Sequence, residues 1–168
     1  ILFTILKYLI FSLLLISISC SSNSSNKKQQ ESSERSVEEI YNSAMDYIND
    51  NKFSKAHDEF VEVERLHPYS IWANRSQIMS SYVNYKLNKY AESVSGAMRY
   101  IELHPGASDI DYAYYLIALN YYEQINDFRR DQSFTRKALE AFNNLIRRFP
   151  NSDYSKDAKL KLDLVNDH

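Results

Sequence analysis

The sequence predicts an all-α fold in which helix hairpins stack into a solenoid, and three observations lead there. The 168 residues contain only two Gly and three Pro, so little interrupts helices. From Val37 onward apolar residues recur at helical spacing. The dipeptides His67-Pro68, His104-Pro105 and Phe149-Pro150 punctuate the chain at intervals of 37 and 45 residues, the signature of an internal repeat.

The chain opens with a different kind of segment. Residues 1–19 carry one charge, Lys7, and the run LIFSLLLISIS ends in small residues directly before Cys20, the pattern of a secretory signal with its cleavage site. The stretch ISISC resembles the bacterial lipobox, which implies cleavage before Cys20 and a diacylglycerol and N-acyl lipid on that residue, with no other cofactor. An uncleaved membrane anchor, which a run of this length can just provide, and an inert Cys in an ordinary signal stay open beside it. By the same resemblance, Ser21 after the Cys implies export to the outer membrane. Residues 20–36, CSSNSSNKKQQESSERS, are polar with no apolar period and are expected to form a flexible tether.

Residues 37–70, VEEIYNSAMDYINDNKFSKAHDEFVEVERLHPYS, are the first hairpin. Ile40, Ala44 and Tyr47 share one helix face, Asn49 to Lys52 are a polar turn, and Phe53, Ala56, Phe60 and Val63 repeat at helical spacing until Pro68 ends the second helix. Small residues at Ala44 and Ala56 let the two helices approach closely. In residues 71–107, Tyr90, Ser93, Ala97 and Tyr100 follow Phe53, Ala56, Phe60 and Val63 at a constant offset of 37. The first helix of this unit has two registers open: Gln77, Ser80, Ser81 and Asn84 at the core positions, or, one residue on, Ile78, Ser81, Tyr82 and Tyr85.

Residues 108–151 are the third unit. Asp109 is expected to be its N-cap, with Asp111 in the first turn. Tyr114, Ile117, Ala118 and Tyr121 take the core positions, while Tyr112, Tyr115, Leu119 and Tyr122 form a second apolar stripe. A helix apolar on both sides is buried on both, or buried on one and used on the other. The partner helix carries Ala138, Phe142 and Leu145, and a long loop, Asn126 to Thr135, is expected between them. Residues 152–168 repeat the opening of the second unit, with Tyr154 in the place of Trp72, and stop mid-hairpin; the stripe Tyr154, Ala158, Leu162 lacks a second helix to cover it. An array is expected to continue to a capping helix, so these residues read as part of a longer protein, truncated at the C-terminus.

Composition narrows the function classes. Lys+Arg 20 against Asp+Glu 22 supplies no field for gripping nucleic acid. Eight acids face three bases from Val37 to Pro68, and six bases face three acids from Asp127 to Arg148; both read first as solvated helix faces. A lone Cys excludes an intramolecular disulfide, and no catalytic motif or metal-ligand spacing occurs. His67 and His104, each before a repeat-ending Pro, suit a helix C-terminus better than a metal pair. Nothing points to an enzyme.

The order of apolar residue, Ala, Tyr, then Ala, Phe and Pro resembles the tetratricopeptide (TPR) repeat, although the intervals exceed its roughly 34 residues. This gives a right-handed TPR-like superhelix of about three and a half repeats. Beyond that, the lipobox, the tether and the segments HPYSIWANRSQIMSSYVNYK, HPGASDIDYAYYLIALNYYEQ, FRRDQSFTRKALEAF and RRFPNSDYSKDAK resemble the BamD family, lipoproteins of the outer-membrane β-barrel assembly machinery. The resemblance implies a non-enzymatic scaffold on the periplasmic face of the outer membrane. Its implied partners are the barrel subunit, accessory lipoproteins and unfolded outer-membrane proteins, with the membrane reached through the lipid. Another lipid-anchored TPR protein, such as a secretin pilotin or a cell-envelope coordinator, is the alternative.

Fourteen Tyr is unusual for a small helical core. If first helices line the concave face, as in TPR geometry, Tyr41, Tyr112, Tyr115 and Tyr122, with Tyr82 and Tyr85, form a candidate peptide groove; aromatic residues serving the core are the competing reading. Tyr suits a groove because its ring buries apolar area while its hydroxyl reaches a peptide backbone. Arg129, Arg130 and Asp131 in the long loop are candidate partner-facing residues, against a default of solvated charge.

Overall fold

A computed structural model describes residues 35–125 and 132–166. Among the described residues there are seven helices and no strand: α1 (Val37–Asn49), α2 (Phe53–Leu66), α3 (Ile71–Lys86), α4 (Tyr90–Leu103), α5 (Ile110–Glu123), α6 (Gln132–Arg148) and α7 (Asp153–Asn166). Consecutive helices pack against each other, and the first helices of successive hairpins, α1, α3, α5 and α7, also touch in turn. The fold is the all-α, TPR-like array that the repeat spacing predicts. None of the described helices is long and apolar enough to cross a membrane.

The first hairpin starts with a reciprocal cap. Ser36 Oγ accepts from the Glu39 backbone N–H at 3.2 Å, and the Glu39 carboxylate accepts from the Ser36 N–H at 2.7 Å. Arg35 holds Glu59 on α2 by two bonds of 3.1 and 2.9 Å. Arg35 and Ser36, at the end of the expected tether, thus belong to the folded array. The rest of the tether and the segment through Cys20 lie outside the described residues.

Ile40, Ala44, Ala56, Phe60 and Val63 are fully buried, on the faces their spacing assigns. Burying a Phe or Val side chain contributes about 1.5–3 kcal/mol. Each of the first two hairpins turns on an asparagine in the left-handed region, Asn51 at φ 57° and Asn88 at φ 59°. Asn tolerates that conformation better than a residue with a bulkier side chain. The turns then close identically, Lys52 N–H donating to Tyr47 O and Lys89 N–H to Asn84 O, at 2.8 and 2.9 Å.

Helix α3 resolves the open register by burying two sides. Ile78 joins Val94, Ala97, Tyr100, Ala113 and Leu116, with Tyr82 and Tyr85 against them, as in the shifted register. On the other side Ala73 packs with Ile40 and Val63, and Val83 with Ala44, Ala56 and Phe60, a set that neither register contained. A helix with neighbours on both sides carries buried positions around most of its circumference, so no single period stands out.

The α3/α4/α5 seam is small and polar. Ser93 Oγ donates to Ser81 O at 2.7 Å, and the buried Asn120 side-chain amide donates to Ser93 Oγ at 2.8 Å and Leu116 O at 2.7 Å. Gly96 makes this approach possible, since a Cβ there would stand 2.4 Å from Ser81 Oγ.

In the third hairpin Ala138, Phe142 and Leu145 are fully buried with Ala118, Ala158 and Leu162. The expected loop is shorter at its C-terminal end, because α6 already begins at Gln132. Phe134 lies four residues before Ala138 and eight before Phe142, so it extends the apolar stripe by a turn, and Lys137 Nζ sits 5.3 Å from its ring centre. Arg129, Arg130 and Asp131 lie outside the described residues. Helix α7 buries Ala158, Leu162 and Val165 and leaves Leu160 and Leu164 exposed, at 65% and 54%.

Candidate functional site

Aromatic side chains run along the first helices of the hairpins. On α1, Tyr41 packs edge-on against Phe60 at 5.5 Å and tilts against Trp72 of α3 at 4.8 Å. On α5, Tyr112 and Tyr115 both meet Tyr154 of α7, at 5.2 and 5.1 Å, the second pair stacked at 27°. Tyr82 and Tyr85 on α3 pack onto the same cluster as Tyr112. The structure therefore brings Tyr82, Tyr85, Tyr112 and Tyr115 together and adds Tyr154. Tyr122, on the same helix as Tyr112, instead lies edge-on to Phe142 at 6.0 Å, with Lys161 Nζ 5.8 Å from its ring centre, and serves the third hairpin's core.

The repeat offsets show a pattern in these contacts. Tyr41 and Trp72, joining the first and second hairpins, correspond at offset 37 to Ile78 and Asp109; a further 37 from Ile78 is Tyr115 in α5, and a further 45 from Asp109 is Tyr154 in α7. The first and third junctions thus carry an aromatic pair, Tyr41 with Trp72 and Tyr115 with Tyr154. The second carries Ile78 and Asp109.

Asp109 stands at the N-cap position of α5, but its side chain does not cap the helix, contrary to expectation. Its Oδ1 accepts from the Tyr100 hydroxyl at 2.6 Å. Tyr100 occupies the position held by Val63 in the first hairpin and Leu145 in the third, so this bond exists only at the second junction. Asp111 is in the first turn, as expected, and accepts from Ser152 Oγ at 2.6 Å.

Two further phenols donate to carboxylates across hairpins, Tyr85 to Glu123 at 3.1 Å and Tyr115 to Asp157. Asp157 is also paired with Lys161 at 3.2 Å. Burial pushes the Tyr85 phenol up to about 12, and the Glu123 carboxylate adds to the shift. Burial also drives Tyr112 and Tyr115 well above the usual phenol range; neighbouring phenols reinforce it at Tyr112 and Asp157 at Tyr115. At Tyr100 burial comes first and the Asp109 bond second. These tyrosines are neutral at physiological pH and present ring faces and hydroxyls.

No three His, Cys, Asp or Glu side chains among the described residues could hold a metal ion. His67 and His104 occupy equivalent positions just after α2 and α4, and His104 Nε2 lies 3.0 Å from Gln77 Oε1. Composition alone does not single out Tyr100, Glu123 and Asp157; alignment at offsets of 37 and 45 would have marked Asp109, a carboxylate where Trp and Tyr stand elsewhere.

Comparison with known proteins bears on what this surface serves. Residues 33–168 match the family model YfiO, described as "Outer membrane lipoprotein". Proteins named outer membrane protein assembly factor BamD are similar to the chain. The one from Caulobacter vibrioides is 46% identical over 80% of the chain and 44% of that relative. The Rickettsia prowazekii protein is 39% identical over 77% and 51%, and that of Neisseria gonorrhoeae 30% over 89% and 60%. The chain spans about half the length of these relatives.

Proposed function

The chain belongs to the YfiO family of outer membrane lipoproteins, and from that premise we propose that it serves outer membrane protein assembly as a non-catalytic scaffold on the periplasmic face of the outer membrane. In this reading a lipid on Cys20 tethers the array, unfolded outer-membrane proteins are recruited to it, and the barrel subunit and accessory lipoproteins of the assembly complex are its standing partners. Arg129, Arg130 and Asp131 are proposed to face such a partner.

The observation that carries the reading is the tyrosine cluster on successive first helices, Tyr82, Tyr85, Tyr112, Tyr115 and Tyr154. An unfolded barrel strand alternates apolar and polar side chains and has an unpaired backbone. Ring faces take its aromatic side chains. Tyr85 and Tyr115 spend their protons on Glu123 and Asp157, which leaves their oxygens as acceptors for strand N–H groups. Ordering an extended peptide over a small surface costs entropy, so affinity on the order of micromolar is expected.

Co-purification of the intact protein from detergent-solubilised membranes tests the reading. A β-barrel protein with periplasmic repeats, recovered in a stable complex, is the expected result. A secretin ring in its place, or no barrel protein, would overturn it.

A further inference from the structure

The three turns that join one hairpin to the next close in the same way and differ in what they expose. The backbone N–H of Ser70, Ala107 and Ser152 donates to the carbonyl of His67, His104 and Phe149 in turn, at 3.0, 3.0 and 3.1 Å. In the first turn Ser70 Oγ also donates to His67 O at 2.8 Å and accepts from the Ala73 N–H at 3.1 Å, which fixes it at both ends. Its tip carries Tyr69, fully exposed, and α3 then opens with Ile71, 63% exposed. At the same places the second turn carries Gly106 and Ser108, and the third Asn151 and Asp153. Neither turn closure nor the core calls for an aromatic and an aliphatic side chain in water at this one turn.

The same turn adjoins the point where the chain enters the array. Val37, at the start of α1, packs with Leu66 and Trp72, which flank the turn, over Ile40, Val63 and Ala73. Just before it, Arg35 is bound to Glu59 of α2 at 3.1 and 2.9 Å. Fourteen residues separate Arg35 from Cys20. Even fully extended they reach no more than about 50 Å, so a lipid on Cys20 holds this end of the array close to a bilayer surface. Arg35 and Arg65 are engaged by Glu59 and Glu62, so attraction to a bilayer at this end is apolar rather than electrostatic.

We propose that Tyr69 and Ile71 form a second, reversible contact with the membrane, entering the boundary between headgroups and acyl chains of a phospholipid bilayer while the lipid on Cys20 supplies the anchor. This insertion rests on the reading of Cys20 as lipid-bearing. Tyr suits that depth because its ring is apolar and its hydroxyl meets the headgroups. Ile adds apolar area to the buried face. Two side chains are too few to hold a free domain on a membrane. Anchoring removes that demand, since it makes the contact intramolecular and raises the local concentration of lipid. An array held at two points keeps the α2–α3 turn toward the bilayer, which a single anchor does not.

The test uses the intact protein reconstituted into phosphatidylcholine vesicles whose acyl chains carry bromine, a short-range quencher of Trp fluorescence. Tyr69→Trp and Gly106→Trp place a probe at equivalent turns. Tyr69 is fully exposed and a Cβ at Gly106 meets nothing within 4 Å, so both replacements leave the fold intact. The wild type gives the contribution of Trp72, the chain's own Trp, which is subtracted. In protein that floats with the vesicles, bromine should remove about half of the emission from position 69 and almost none from position 106. Equal quenching at the two turns, or none at 69, in protein that floats overturns the insertion and leaves the anchor standing, with the exposed turn free for a protein partner. Protein that does not float overturns the anchor, and the insertion with it.

Discussion

Tyr115 stacks on Tyr154 at 5.1 Å and 27°, and its hydroxyl donates to Asp157 one turn further along the same helix. Ring and hydroxyl together attach α7 to the third hairpin. At the first junction Tyr41 and Trp72 make the ring contact at 4.8 Å, with Arg75 where Asp157 stands at the third.

Replacing Tyr154 by Ala removes contacts to both Tyr112 and Tyr115. Aromatic pairs contribute about 0.5–1.5 kcal/mol each beyond area burial, so Tyr154→Ala should destabilise by roughly 1–3 kcal/mol. Tyr154→Phe keeps both rings in contact and should be nearly neutral. Urea unfolding measures the difference, and amide exchange in α7 should quicken in the Ala variant alone. Equal stability of the two variants would contradict the ring-contact account.

Gly96→Ala places a methyl 2.4 Å from Ser81 Oγ, in a seam where Ser81 is 1% exposed. Overpacking of this kind typically costs about 1–3 kcal/mol. Adding Ser81→Ala removes the clashing oxygen, after which the nearest atom is Ser81 Cβ at 3.5 Å. The double variant should recover most of the loss in a thermal melt. A double variant no more stable than Gly96→Ala would show that the strain lies elsewhere.

Much of this architecture was legible in the sequence. Ile40, Ala44, Ala56, Phe60 and Val63 are buried as their period requires, because α1 and α2 each turn a single apolar stripe to one core, which Ala73 and Val83 complete. Helix α3 was ambiguous for the opposite reason: Ala73 and Val83 serve the first hairpin while Ile78 serves the next. At the site, the grouping of Tyr82, Tyr85, Tyr112 and Tyr115 followed from shared positions on first helices. The departure of Tyr122 did not, since its ring turns toward Phe142, a residue of a different helix. Asp109 read as a cap because its type and place fit one, and the competing donor, Tyr100, lies nine residues back on another helix.

Alkaline pH should divide the tyrosines. An unfolded phenol ionises near about 10, whereas burial holds Tyr85 at about 12 and Tyr100, Tyr112 and Tyr115 higher still. The folded state favours the neutral form, so these groups' contribution to stability is complete below pH of about 10 and is lost as pH rises through the folded values. Phenolate absorbance should therefore rise in two stages, the second accompanied by loss of helicity. Tyr85→Phe should shrink the second stage. One transition near pH 10 with helicity intact would refute the burial of these phenols.

The lipid proposed on Cys20 is open to direct measurement. Cys20 is the chain's only cysteine and stands where the apolar run meets the polar tail. Cys20→Ser should release the protein from membranes into the soluble periplasmic fraction, and the mature wild type should carry a mass excess of a diacylglycerol and an acyl chain. A single chain holds a protein to a membrane only marginally, so complete retention calls for more than one. A wild-type protein with residues 1–19 attached and no lipid mass would exclude this anchor.

Asn51 and Asn88 share one backbone conformation and one pattern of turn closure, 37 residues apart. A segment cut at these two points begins and ends in the same geometric state, so its duplication or loss would leave the flanking helices in phase. In evolutionary terms the segment between these turns, α2 with α3, is an exchangeable cassette, free to be multiplied by recombination within a gene without a new turn having to be invented. The turn of the third hairpin is built differently: Ile125, 37 residues after Asn88, does not share its left-handed conformation, and the next helix starts only at Gln132. Variation in repeat number among descendants of such an array should therefore accumulate on the N-terminal side of α5.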